Sequence, residues 1–109
     1  MSLDAKVLLE EMLKAIRPVL SEYWGDVKDY AETESEKMAK TLAGITELRI
    51  ARKIDEQQAQ ALLEMQKQAM QVVLLTIKGI GLIAAQQAIN AALGAVKIMV
   101  NKAIGFGLL

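Results

Sequence analysis

The chain contains neither cysteine nor histidine. Their absence removes disulfides, thiol nucleophiles, cysteine-held zinc and iron–sulfur sites, the commonest general base and the usual imidazole metal ligand. Proline occurs once, at Pro18, and the clusters of turn residues that would separate a series of short strands are missing. Aromatic residues make up 4% of the sequence, so a core must be built from Leu, Ile, Val, Met and Ala, a palette that favours helices over sheets. Acidic residues stop at Glu64, and from Met65 to Leu109 the charged side chains are Lys67, Lys78, Lys97 and Lys102. The basic start and apolar run of a cleaved export signal are lacking as well, since Asp4, Glu10 and Glu11 stand near the first residue. The expected location is cytoplasmic or within a particle such as a virion, with peripheral attachment to a membrane as the alternative.

What is present points to one folded helical domain. The chain has 109 residues, 53% of them hydrophobic, and a net charge of zero, which sets it apart from the charged, apolar-poor sequences that stay disordered. The charge is uneven: residues 1–60 hold 12 acids and 9 bases, a conventional solvated surface, whereas the remainder is apolar and weakly cationic.

Leu9, Met12, Ile16, Leu20, Tyr23, Val27 and Tyr30, then Met38, Leu42, Ile45 and Leu48, follow spacings that mix three and four, the period of a helix with one apolar face. Glu10 with Lys14 and Glu36 with Lys40 have the acid-before-base order that favours ion pairs four residues apart. Pro18 lacks an amide donor and Gly25 is a softer point, yet the apolar stripe keeps its phase across both. The reading is therefore one long arm over about residues 3–53, kinked near Pro18 or Gly25, with a split there into two helices, and so a compact three-helix bundle, as the alternative. Arg49, Arg52 and Lys53 suit a helix C-terminus, and Asp55-Glu56-Gln57-Gln58 reads as an N-cap with an amide three residues on, which places a turn at about 53–55. A second arm is expected over about 56–104, followed by a short apolar tail at 105–109. Two arms of roughly 70 Å each make a long antiparallel helical hairpin, an all-α fold.

On a continuous second helix, Lys67, Gln71, Lys78, Gln86, Asn90, Lys97 and Asn101 form one narrow polar stripe and leave most of the circumference apolar. One partner helix cannot cover that surface, so the hairpin is expected to oligomerise into a bundle, with a membrane surface or another helical protein as the alternative cover. Gly81, Ala84, Ala85, Ala88, Ala91, Ala92 and Ala95 recur at spacings of three and four, which marks them as a helix–helix interface where backbones approach closely. Lys78, Gln86, Gln87 and Asn90 argue against a membrane span through Val72–Val96. The acid-free cationic stretch and its Gly105-Phe106-Gly107-Leu108-Leu109 tail nonetheless have the chemistry of a helix lying on lipid.

Motifs for chemistry are weak. The carboxylate pairs Glu10 with Glu11, Glu32 with Glu36, and Asp26 with Asp29 fall among charged neighbours on a solvated face, so no catalytic, cofactor or metal site is expected. Gly79-Ile80-Gly81 follows helical sequence and lacks the third glycine of a dinucleotide loop, and is read as a packing or flexing point. A balanced charge with only Arg49, Arg52 and Lys53 clustered gives no footprint for nucleic acid.

Tyr23 and Trp24 are expected to anchor the first arm on the second at mid-helix. Trp24-Gly25-Asp26 lacks the spacer residue of the Trp-x-Gly turn found in small secreted ESX-type hairpins, and that family is not assigned. In general style, a charged arm followed by an alanine- and glycine-rich one, the chain resembles small bacterial and prophage-encoded helical proteins, without a shared motif. The expectation is a non-enzymatic homo-oligomer with a structural, scaffold or adaptor role, and the alternative is a membrane-active protein binding lipid through its second arm.

Overall fold

A computed structural model describes residues 3–109, and within them the chain forms four α-helices and no strand. Helix α1 (Ala5–Val19) is capped by Asp4, whose carboxylate accepts a hydrogen bond from the Lys6 amide at 2.9 Å. A single 3-10 turn, Ser21–Tyr23, leads into α2 (Trp24–Ile50), and α3 (Glu56–Leu75) and α4 (Leu82–Ile104) follow. The all-α expectation holds, and the molecule measures 42 × 22 × 18 Å. A 27-residue helix such as α2 is about 40 Å long, so one helix spans the whole molecule and arms of roughly 70 Å do not exist.

The expected first arm divides where proline dictates. Pro18 sits in the last turn of α1, where it cannot donate to the carbonyl four residues back and its ring crowds that carbonyl. The helix closes with Leu20 N donating to Ile16 O at 3.0 Å, and Tyr23 N then donates to Leu20 O in the 3-10 turn. Trp24 and Gly25 consequently open α2 instead of lying mid-helix. The apolar stripe keeps its phase through this break because α1 and α2 fold against each other and both turn their apolar faces to one core. Leu20 and Val27, on either side of the turn, are both fully buried.

The turn after α2 forms where the sequence places it. Arg52 takes a left-handed conformation (φ 58°), and Lys53 N reaches back to Leu48 O at 2.8 Å, closing the helix end. Asp55 and Gln58 make a reciprocal capping box: the Gln58 amide donates to the Asp55 carboxylate at 2.7 Å, and the Asp55 amide donates to the Gln58 side chain at 2.9 Å.

The expected second arm is also two helices, and Gly79 is the reason. Thr76 ends α3, its hydroxyl donating to Val73 O at 2.6 Å. Gly79 then adopts φ +93°, a conformation that side-chain-bearing residues rarely take. A Cβ there would lie 2.9 Å from Cε1 of Tyr23, so Tyr23 packs directly against the bare glycine and joins the α1–α2 turn to the α3–α4 turn. Ile80, 5% exposed, points into the core, and extended Gly81 serves as the N-cap of α4. At the far end Gly105 (φ 89°) stops α4 in the left-handed conformation favoured after a helix. The tail then folds back: Leu108 enters the core, and Asn101 binds Leu109 through two hydrogen bonds of 2.9 and 3.3 Å.

Candidate interaction surface

Helix α1 contributes Leu8, Met12 and Ile16, each fully buried, on one face at intervals of four. Helix α4 contributes Ala85, Ala88 and Ala92, then Val96 and Val100, also buried, at intervals of three and four. These two helices form the most extensive contact in the bundle. Large side chains on one helix and small ones on the other let the backbones come close without leaving voids. The predicted small-residue set is therefore divided. Ala85, Ala88 and Ala92 belong to the core of a single chain, Ala84 and Ala91 are half-buried, and Gly81 and Ala95 are exposed.

The predicted polar stripe is likewise redistributed, and part of it meets across two helices. Lys67 and Gln71 of α3 face Gln86 and Asn90 of α4 around a groove of about 230 Å³ that Glu64, Gln68 and Ile89 complete. Lys97 lines an adjoining groove of about 310 Å³ with Leu63, Leu93, Leu108 and Leu109. Contact between α3 and α4 is sparser than that of α1 with α4, α1 with α2 or α2 with α3, which leaves this channel open. Lys78 falls in the α3–α4 turn, and Asn101 is committed to the tail.

The basic cluster borders an open groove of about 590 Å³ at the α2–α3 turn, lined by Arg49, Arg52 and Lys53 with Ile54, Asp55 and Ile104. Arg49 has structural partners there. It donates to Ile54 O at 3.2 Å, lies 3.9 Å from the Glu56 carboxylate, and covers the Phe106 ring at 5.5 Å. It clamps the turn to the C-terminal tail.

The carboxylates stay dispersed. Glu36 pairs with Lys40 at 2.9 Å as its spacing predicts, whereas Lys14 turns to Glu11 at 3.4 Å and not to Glu10. Glu34 is the buried exception: only 4% of its side chain is exposed, and it reaches the Lys37 ammonium at 3.2 Å. The neighbouring Ser35 Oγ and, on α3, Gln66 Nε2 are buried without a hydrogen-bond partner. Among the described residues no three acidic side chains gather in a metal-binding arrangement.

The surface that sequence reasoning missed is the outer face of α3. Leu62 (37% exposed), Met65 (68%), Val72 (63%) and Leu75 (39%) point away from the core together with Ala61 and Ala69. Leu62, Met65, Ala69 and Val72 follow the three-four-three spacing of a helix-packing seam, and the seam carries no charge. The outer face of α4 is different in kind. Its exposed Leu82 and Ile83 at one end and Ile98 and Met99 toward the other are separated by Gln86, Gln87, Asn90 and Lys97. No protein-family model, curated protein or solved structure matches this chain.

Proposed function

We propose that the protein is a non-enzymatic, self-associating helical component with a structural, scaffold or adaptor role, cytoplasmic or particle-associated. The observation that carries this reading is the outer face of α3, an uncharged apolar seam left in water by a bundle whose other large apolar side chains are mostly packed inside. Such a contiguous patch on a small domain marks a surface that another molecule covers. The non-enzymatic part of the reading is supported by how the grooves' charges are paired: Glu64 and Lys67 lie 3.5 Å apart among the amides of one, and the arginine of another is held by the turn and the tail. Light scattering coupled to size exclusion in detergent-free buffer tests the proposal: a defined oligomer supports it, and a monomer at every concentration opposes it.

A second reading rests on α4. With 23 residues and only Lys97 and Lys102 charged, this helix is long and apolar enough to cross a membrane, although 39% of its most apolar window is buried inside the bundle. In this reading α4 leaves α1 and lies on or in lipid, with Lys97 and Lys102 toward anionic headgroups. Co-sedimentation with anionic vesicles at low salt distinguishes the two readings. Binding that requires the bundle to open favours lipid, and its absence leaves self-association.

A further inference from the structure

We infer that the occupant of the α3 face is the α3 face of a second copy of this chain, laid antiparallel across a two-fold axis that passes by Ala69. The inference rests on the self-association reading and specifies its geometry. Closed homodimers use the same patch twice, so a residue that meets another must be met by it in return. The seam has that self-complementary order. With the axis between Gln68 and Ala69, Met65 falls opposite Val72 of the second copy and Leu62 falls opposite Leu75, while the two alanines beside the axis permit close approach. A parallel pairing would instead stack Met65 on Met65 and Val72 on Val72.

Charge points the same way. The seam residues and the flanking Ala61, Gln66, Gln68, Val73 and Leu75 are uncharged, and the one charge at the margin, Glu64, pairs with Lys67 of its own helix at 3.5 Å, whereas the outer side of α2 carries Lys28, Asp29, Glu36, Lys37 and Lys40. A partner recognised by complementary charge would find only the internally paired Glu64 and Lys67 beside the seam. A second copy presents the same uncharged surface and suffers no like-charge repulsion. Area sets the strength. The seam and its flanks would bury about 500 Å² per partner, about 1,000 Å² in all, at the lower bound for a specific interface. The dimer is accordingly weak and concentration-dependent.

Because the chain has no cysteine, single-cysteine variants report the geometry without background. Ala69→Cys, Leu62→Cys, and an equimolar mixture of Met65→Cys with Val72→Cys are equilibrated in a glutathione redox buffer, and the mass of the unmodified protein is measured alongside. Ala69→Cys is expected to give covalent dimer at least about tenfold in excess of Leu62→Cys, because two copies of residue 62 lie about 20 Å apart along an antiparallel pair. The mixture is expected to favour the heterodimer over either homodimer.

Equal self-crosslinking of Leu62→Cys and Ala69→Cys means a parallel pair and overturns the inference. An oligomeric mass without crosslinking at any of these positions overturns it too, and leaves self-association through another face standing. A monomeric mass with no crosslink removes both. A fluorophore on Met65→Cys that blue-shifts on phosphatidylglycerol vesicles, with no covalent dimer from Ala69→Cys, assigns the face to lipid and overturns the inference in that direction.

Discussion

Helices α3 and α4 derive from one acid-poor, apolar half of the sequence, yet they use their apolar residues in opposite ways. Helix α4 turns Ala85, Ala88, Ala92, Val96 and Val100 inward against α1 and shows solvent a face broken by Gln86, Gln87, Asn90 and Lys97. Helix α3 buries Ala59, Leu63, Met70 and Leu74 but leaves Leu62, Met65, Ala69 and Val72 outside. The helix that is more apolar by composition buries eight residues against four, and both leave four large apolar side chains exposed, contiguous on α3 and divided between two ends on α4. Composition alone does not locate an uncovered surface. The partition of each helix around its circumference does, and that partition depends on which neighbours it acquires.

The contrast can be broken most severely at Ala88. This residue is fully buried on the α4 face that meets α1, so Ala88→Glu places a carboxylate in the core with no partner. Loss of more than about 4 kcal/mol is expected, read as a collapsed urea midpoint or an unfolded circular dichroism spectrum. A folded variant that merely dissociates would show that this face serves contacts between chains. Gly79→Ala attacks the break that makes α3 and α4 separate helices. Its left-handed backbone and the Tyr23 ring 2.9 Å from the new Cβ predict a loss of about 1–3 kcal/mol in urea unfolding. An unchanged midpoint would mean that the turn relaxes freely.

How much of this was legible in the sequence follows from the same two helices. The capping box at Asp55 and Gln58 uses side chains a few residues apart, so its signal is local and the α2–α3 turn was read correctly. Pro18 marks a point where the sequence allows a bend or a split, but two helices folded face to face preserve the apolar period of one, and periodicity does not tell them apart. Gly79 reads as a flexing point and not as a stop, because the Tyr23 ring that packs against it lies 56 positions away in sequence. On a continuous second arm the small residues of α4 read as one helix–helix interface. The three-four-three run from Leu62 to Val72 is present in the sequence, but it emerges as a separate face only when α3 is a helix with its own neighbours.

Smaller effects sharpen the comparison. Asp55→Ala removes the cap at the start of α3 and should cost about 1 kcal/mol without altering the oligomeric state, as checked by chemical unfolding and light scattering. Val72→Lys should change stability by no more than about 0.5 kcal/mol, because the side chain is 63% exposed, while abolishing association. The matching substitution on the other helix, Ile98→Lys, falls at an 83% exposed position flanked by Lys97 and should leave both stability and association unchanged.

The most direct test of the central claim is sedimentation equilibrium of the wild type beside Val72→Lys, from the low micromolar to the hundred-micromolar range in detergent-free buffer. The account predicts a wild-type mass that rises with concentration from 11.9 kDa toward twice that value, and a variant that stays at the mass of one chain. A wild type that remains at 11.9 kDa throughout, or a variant that associates as the wild type does, would contradict it.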